Sequence, residues 1–155
     1  IDGVAYGVDC WEGDEHTDAY DDSIYNDVSD HSREHYRGNT YLLRMFFNEA
    51  LQHFNESSLD LLHIDGLHTY EAVKEDFTNW YPKVKPGGLM AGHDYMNGRL
   101  GGTMFGVKQA VDEFAAAHGF SGVYEAARFE GQGAARRELI AFRRAVRAIG
   151  EQRRP

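Results

Sequence analysis

The chain has 155 residues, of which 42% are hydrophobic and 13% aromatic, so it carries enough apolar surface for the core of one domain. Its formal net charge of -9 would be repelled by nucleic acid and by anionic membranes, which we exclude as main partners. The sequence shows neither a signal peptide nor the run of about 18 apolar residues that a membrane helix needs. Its single cysteine, Cys10, fits a reducing compartment, and we expect a cytoplasmic protein.

The charges are unevenly distributed along the chain. Residues 1–32 carry ten acidic side chains and no Lys or Arg, whereas residues 136–154 carry seven Arg and two Glu. Runs of like charge most often form solvated surfaces. We expect one domain over residues 1–145, followed by an Arg-rich tail over residues 146–155. Because the chain starts with Ile1 and reaches a strand almost at once, we also expect a further segment upstream of it.

The first part of the chain predicts two strands separated by a long acidic segment. Residues 4–8 form a short apolar run, typical of a buried strand, that ends at Asp9. The acidic segment up to about residue 39 predicts a loop with one or two helical turns. Its residues 12–30 form either a lid over a substrate or a solvated loop. Residues 40–43 predict the second strand.

The middle of the chain predicts two helices around the clearest strand of the sequence. Apolar residues at helical spacing predict the first helix over residues 46–54. Residues 59–66 are mostly apolar and end with Asp65 and Gly66, as expected of a buried strand. A second helix is predicted over residues 70–80, before Pro82.

The last part of the chain predicts one more buried strand, a helix and an antiparallel strand pair. A Gly-Gly turn at residues 87–88 leads into the strand, residues 89–92, which the pair His93-Asp94 follows. A Gly-rich loop then precedes a helix over residues 107–114. The closing strand pair is predicted from residues 123–129 and 138–142.

Strands that alternate with helices predict the α/β class, here a Rossmann-like, mainly parallel sheet with helices on both faces and a C-terminal antiparallel strand pair. In such sheets ligands bind at the carboxyl ends of the strands. Polar side chains follow three of the predicted strands: Asp9, Asp65 and the pair His93-Asp94. We therefore expect the functional site at this edge.

Asp65 and the pair His93-Asp94 are candidate metal ligands. Neighbouring parallel strands lie about 5 Å apart, so the ends of two such strands can share one cation. Carboxylates suit Mg²⁺ or Mn²⁺, and a histidine ligand shifts the preference toward Mn²⁺ or another transition metal. His68 starts the next helix and faces the same spot. His63 shares a strand face with Asp65 but lies deeper, and we expect a buried core histidine there.

Asp9 and Trp11 are candidate nucleotide contacts. An acid at the end of the second strand of nucleotide-binding sheets accepts hydrogen bonds from ribose hydroxyls. The planar ring of Trp11, just beyond it, is suited to packing against a base.

Two segments resemble a known family. The run LDLLHIDGLHTYEAVKEDFTNWYPKVKPGGLMAGHDY, followed by GVKQAVDEF, resembles class I S-adenosylmethionine-dependent methyltransferases, above all the small O-methyltransferases of sugars and natural products. A related branch is known as cephalosporin hydroxylase. The run GVDCWEGDEHT is similar to the segment where the second strand of that family meets the cofactor ribose. The resemblance spans about residues 4–115, and HIDGLHTY and GHDY are its most specific motifs.

The resemblance implies roles for particular residues. Asp65, His93 and Asp94 fall where metal-dependent members place their magnesium ligands. His68 falls where those members place the base that deprotonates the acceptor hydroxyl.

The resemblance also implies S-adenosylmethionine as cofactor, with Asp9 on its ribose and with Trp11 and Asp65 beside it. The first strand and the Gly-rich turn of the family would precede Ile1. At the centre of the sheet we therefore expect a gap, an exposed edge or a partner chain.

The leading hypothesis is a metal-assisted O-methyltransferase that uses S-adenosylmethionine and acts on a hydroxyl of a sugar or a related polar metabolite. The expected partner is this small-molecule acceptor, and the sequence leaves homo-oligomerisation open. One alternative is a catalytically inactive or fragmentary binding module. Another is a non-haem iron oxygenase that uses His63, Asp65 and His93, since two histidines and one carboxylate bind iron in such enzymes.

Overall fold

The computed structural model describes residues 3–14, 17, 19–100, 102–120, 124–126 and 139–143, the last two ranges as backbone. The chain divides into two compact units, Ile1–Phe54 and Asn55–Pro155. Among the described residues, no helix is both long enough and apolar enough to cross a membrane.

The first unit contains one parallel strand pair. Strand β1 (Ala5–Asp9) pairs in parallel with β2 (Thr40–Arg44), and helix α1 (Asp22–His35) connects them. Both strands lie where the sequence predicts them. The helix predicted over residues 46–54 is a single α-helical turn, α2 (Phe47–Ala50), continued by a 3₁₀ turn.

Helix α1 corrects the sequence analysis, which predicts mostly loop between residues 10 and 39. The carboxylate of Asp21 caps the helix by accepting a hydrogen bond from the backbone N–H of Ser23 at 2.8 Å. Asp22 in the first turn and Arg33 and His35 in the last turn complement the helix dipole. The proposed lid over residues 12–30 therefore includes the first nine residues of a 14-residue helix.

The second unit contains the main sheet, with strand order β3-β4-β8-β7. Strand β3 pairs in parallel with β4, β4 pairs antiparallel with β8, and β8 pairs antiparallel with β7. A separate hairpin joins β5 and β6. The bounds are β3 Leu59–Ile64, α3 Tyr70–Trp80, β4 Val84–Gly92, β5 Asn97–Leu100, β6 Thr103–Gly106, α4 Val107–Ala117, β7 Tyr124–Ala126 and β8 Leu139–Arg143.

The predicted α/β class and the C-terminal antiparallel pair are confirmed. Helices α3 and α4 also lie where their apolar periodicity predicts them. Within the described residues, β1 and β3 are edge strands of their sheets, and Leu61 on β3 is 59% exposed. The Arg-rich tail lies outside the described residues.

Two predictions about residues 84–106 are wrong. The strand begins at Val84, earlier than predicted, and the two glycines lie in an irregularity within it: Val84 pairs with Leu59, regular pairing resumes at Leu89 with Leu61, and Gly87 has a φ of 81°. A side chain at Gly88 would meet the carbonyl oxygens of Lys85 and Asp60 at 2.9 and 3.1 Å, so this close approach requires glycine. The Gly-rich loop after Asp94 contains the β5–β6 hairpin.

Helices α3 and α4 pack against each other and bury their apolar faces. The rings of Phe77 and Phe114 meet edge to face, with their centroids 5.6 Å apart. Burying such side chains contributes roughly 1.5–3 kcal/mol each. The buried residues of the two helices are Val73, Phe77, Trp80, Val107, Ala110, Val111, Phe114 and Ala115.

The half-buried carboxylate of Asp76 on α3 makes stability depend on pH. Burial, with a smaller contribution from the charge of Glu75, raises the pKa of Asp76 from 3.8 to about 7. Between these two pH values the folded chain holds a proton that the unfolded chain releases, so the free energy of unfolding falls as the pH rises. Asp76→Asn should raise this free energy on the order of 4 kcal/mol at pH 8. Below pH 3.8 both chains carry a neutral residue 76 and the difference should vanish. Denaturant unfolding of the wild type and the variant at several pH values measures this. If their free energies of unfolding differed by the same amount at every pH, the prediction would be contradicted.

Candidate active site

The parallel register of β3 and β4 brings the predicted metal ligands together. Ile64 at the end of β3 pairs with Gly92 at the end of β4. Asp65 and His93 are the next residues of the two strands and lie side by side, as the sequence analysis expects. Asp94 follows His93, and His68 follows Asp65 by three residues, in the segment that leads into α3.

Two carboxylates and two imidazoles form a compact group, which we call the Asp–His group: Asp65, His68, His93 and Asp94. His68 Nε2 lies 3.4 Å from Asp65 Oδ1 and 3.6 Å from Asp94 Oδ2. His93 Nδ1 lies 3.4 Å from Asp65 Oδ1 and 3.3 Å from Asp94 Oδ1. Each imidazole therefore lies close to both carboxylates.

The Asp–His group is shielded from water to different degrees. The side chains of His68 and Asp94 are each 17% exposed, that of His93 is 21% exposed and that of Asp65 is 46% exposed. The imidazole of His68, 3.4 Å away, lowers the pKa of Asp65, and the neighbouring His93 lowers it further, while burial opposes both effects. Asp65 is therefore ionised at neutral pH and available as a ligand.

The donor atoms of the Asp–His group fit a divalent cation. One ligand atom each from Asp65, His68 and His93 lies within 4.8 Å of the others. The recess beside them has a volume of about 10 Å³, which is enough for one water or ion. Carboxylate and imidazole donors together suit Mn²⁺ and later transition metals better than Mg²⁺.

The β5–β6 hairpin holds His68 in place, a contact that the sequence analysis missed. The backbone N–H of Gly106 donates to the carbonyl oxygen of His68 at 2.9 Å. The ring of Phe105, 9% exposed, packs on the imidazole with centroids 4.9 Å apart. A Cβ at Gly106 would meet three atoms of Tyr70 within 2.8 Å, so the chains can approach this closely only at a glycine. The Gly-rich composition of this segment was the one signal of such an approach.

His63 does not join the Asp–His group. The sequence analysis expects a buried core histidine, but the residue is exposed because it lies on the uncovered face of β3, the face that also carries the exposed Leu61. Its charge makes only a minor contribution to lowering the pKa of Asp65. Among the described residues, His68 lies close enough to Asp65 and His93 to bind a metal with them, and His63 does not belong to this group.

Asp9 and Trp11 lie in the first unit, at the carboxyl end of β1. Asp9 is exposed, and its carboxylate accepts a hydrogen bond from the backbone N–H of Trp11 at 2.7 Å. The indole of Trp11 is only 8% exposed and meets the ring of Tyr25 edge to face at 5.2 Å. Asp9 thus keeps a carboxylate oxygen facing solvent, whereas little of Trp11 is open to a ligand. Their roles at a cofactor stay predictions.

Sequence comparisons identify relatives of this chain. The profile of a family described as a methyltransferase domain matches residues 2–95. The uncharacterized protein y4gI of Sinorhizobium fredii (strain NBRC 101917 / NGR234) is 44% identical over 111 residues. That alignment covers 72% of this chain and 12% of the relative, so the chain spans a small part of the relative's length.

Solved methyltransferase structures share the fold. The O-methyltransferase NovP superposes with a TM-score of 0.59 at 19% identity, over 94% of this chain and 62% of NovP. An O-methyltransferase family protein from Burkholderia thailandensis gives 0.59 at 13% identity, over 94% of this chain and 45% of its own. The N1-methyltransferase of 1,6-didemethyltoxoflavin from the same organism, solved with that compound and S-adenosylhomocysteine, gives 0.59 at 13% identity, over 93% and 72%. Because the family profile covers more than half of its length, this chain belongs to the methyltransferase-domain family, and its resemblance to class I S-adenosylmethionine-dependent methyltransferases is confirmed.

Proposed function

We propose that this chain is an S-adenosylmethionine-dependent O-methyltransferase that acts, with a divalent cation, on a hydroxyl of a sugar or a related polar metabolite. Family membership and the methyltransferase fold support the methyl transfer. The Asp–His group is the observation that supports metal assistance and an oxygen acceptor.

An alcohol oxygen is a poor nucleophile at neutral pH, because its pKa lies far above 7. Its methylation therefore needs a group that accepts the proton and a positive charge that stabilises the alkoxide. The Asp–His group offers both kinds of residue in one place. Asp65, His93 and Asp94 would hold the cation, which would supply the positive charge beside the acceptor oxygen.

His68 is the proposed base. Its Nε2 atom faces the two carboxylates at 3.4 and 3.6 Å, so Asp65 and Asp94 stabilise the imidazolium that forms when it takes the acceptor proton. Phe105 and the Gly106 N–H hold the ring and the backbone of His68, which limits the orientations of Nε2. S-adenosylmethionine would supply an electrophilic methyl group, and most of the rate would come from holding the two reactants in line.

The cofactor prediction concerns Asp9. Its exposed carboxylate is suited to accept a hydrogen bond from a ribose hydroxyl, so Asp9→Ala should weaken S-adenosylmethionine binding by roughly 1.5–3 kcal/mol. Calorimetric titration of both chains with S-adenosylmethionine measures this. Asp30→Ala, which removes an exposed carboxylate of α1, is the matched control and should bind like the wild type. Equal affinity of the Asp9 variant and the wild type would remove Asp9 from the cofactor site.

The proposed function is tested by titrating the 155-residue chain with Mn²⁺, with Mg²⁺ and with S-adenosylmethionine, and by assaying methyl transfer to a panel of sugars. Binding of both ligands with transfer to a hydroxyl supports it. Binding of neither supports the inactive-module hypothesis.

A second experiment tests the oxygenase hypothesis. Fe²⁺ is added in the absence of oxygen, an oxygen pulse follows, and the visible spectrum is recorded. Oxygen consumption without methyl transfer would overturn the proposal.

A further inference from the structure

Tyr95 directly follows the Asp–His group and belongs to a second polar cluster beneath it. The side chain is 5% exposed, and its hydroxyl donates to Asp112 and accepts a hydrogen bond from Lys108 Nζ at 2.9 Å. Lys108 Nζ also donates to Asp112 at 2.7 Å, so the three groups form a closed triangle on α4. Burial, together with the hydrogen bond to Asp112, raises the pKa of Tyr95, so the phenol keeps its proton at neutral pH.

The backbone at Asp94 has an uncommon conformation. Asp94 has a φ of 50°, in the left-handed region that non-glycine residues rarely adopt. The next residues are tied to the start of α4. The N–H of Lys108 donates to the carbonyl oxygen of Met96 at 3.1 Å, and the N–H of Gln109 donates to the side chain of Asn97 at 3.0 Å. Tyr95 lies between Asp94 and the two residues, Met96 and Asn97, that bond to the start of α4. Its own side chain also bonds to that helix.

We propose that Tyr95, through its hydroxyl bonds to Asp112 and Lys108, is a positioning residue that fixes the carboxylate of Asp94 against the two imidazoles of the Asp–His group. This inference rests on the proposed function in its metal-dependent part. Hydrogen-bonded partners one step removed from a metal typically contribute 10- to 100-fold to metal affinity, because they orient the ligands. The hydroxyl of Tyr95 bonds to Asp112 and Lys108 rather than to a ligand and acts through the backbone beside Asp94, so we expect the lower end of this range, about 10-fold.

The chain contains a matched control, a second tyrosine that also bonds to α4. The hydroxyl of Tyr70 donates to Glu113 at 2.6 Å and accepts from Lys74 Nζ at 2.8 Å. This cluster has the same three chemical groups as that of Tyr95, but it is exposed and connects the first turn of α3 to α4. A variant there removes an equivalent hydroxyl without touching the segment that carries Asp94.

The experiment compares Tyr95→Phe with Tyr70→Phe in the full chain. Each keeps the ring and removes only the hydroxyl, and Asp112→Asn and Glu113→Gln repeat the comparison from the helix side. Mn²⁺ affinity is measured by calorimetry, thermal unfolding by circular dichroism, and the imidazole signals of His68 and His93 by NMR without metal. Tyr95→Phe and Asp112→Asn should lower Mn²⁺ affinity about 10-fold and shift the His93 signals. Tyr70→Phe and Glu113→Gln should leave both within twofold.

The outcomes separate this inference from the proposed function. A wild-type chain with no Mn²⁺ affinity would overturn metal assistance, but the imidazole signals would still test Tyr95. A shift of the His93 signals in Tyr95→Phe and not in Tyr70→Phe supports the positioning role. Unchanged affinity and signals in Tyr95→Phe, or equal losses in both tyrosine variants, would overturn it. A lower unfolding temperature alone would show a structural role and also overturn it.

Discussion

Replacing His68 with alanine is expected to lower the rate of methyl transfer about 100-fold or more, the usual contribution of a general base, while divalent metal still binds. The reason is the division of roles proposed for the Asp–His group. Asp65, His93 and Asp94 remain as ligands in this variant. The atom proposed to take the proton from the acceptor hydroxyl, Nε2 of His68, is absent. Steady-state rates and Mn²⁺ affinity, both measured on the same preparation, test the prediction.

The geometry also defines how this prediction can fail. His68 Nε2 lies as close to Asp65 as His93 Nδ1 does, at 3.4 Å in both cases, so His68 is within reach of a shared cation. If His68→Ala abolished Mn²⁺ binding, His68 would be a ligand and another group would accept the proton. His53→Ala, which removes an exposed histidine of the first unit, is the control and should change neither rate nor affinity.

The sequence predicted the parts of the site that depend on strand register. A buried apolar strand that ends in a polar residue is readable from local pattern, and parallel pairing then places such ends side by side. Asp65 and His93 are adjacent for this reason, one residue beyond the Ile64–Gly92 pair. Helices α3 and α4 were predictable because their buried faces repeat at helical spacing.

Other features depend on contacts that a local pattern does not contain. Helix α1 was missed because its polar composition resembles a loop, and its capping by Asp21 and its charged ends decide the structure instead. The β5–β6 hairpin consists of two strands of four residues, too short for a clear alternation. The burial expected for His63 assumed that both faces of the strand were covered, whereas among the described residues the face of β3 that carries Leu61 and His63 is exposed.

The positioning of the Asp–His group was also outside the reach of sequence pattern. Phe105 lies 37 positions after the histidine on which it packs, and Tyr95 reaches Asp112 across 17 positions. The i,i+4 spacing of Lys108 and Asp112 indicates an ion pair on one helix face but does not reveal that a buried tyrosine completes it. The sequence therefore indicated the reactive groups, and tertiary packing determines how they are held.

Replacing Asp65 with asparagine is expected to lower Mn²⁺ affinity about 100-fold or more, at or above the upper end of the losses seen when only a supporting residue is removed. The amide keeps the size of the side chain but removes the negative charge, and Asp65 is the carboxylate that lies 3.4 Å from both His68 and His93. Asp94→Asn should behave in the same way. Because a weakened site still binds at high metal concentration, added Mn²⁺ should partly restore methyl transfer in both variants.

Asp60→Asn is the matched control for this experiment. It removes a carboxylate from the same strand, β3, where Asp60 pairs with Lys85 at 2.8 Å on the exposed surface. An exposed pair of this kind contributes roughly 0–1 kcal/mol to stability, so the variant should fold and bind Mn²⁺ like the wild type. Calorimetric titration of the three variants and the wild type gives the comparison. If Asp65→Asn bound Mn²⁺ as tightly as Asp60→Asn, the Asp–His group would not be a metal site, and a mechanism without metal, with His68 alone as the base, would have to account for the reaction.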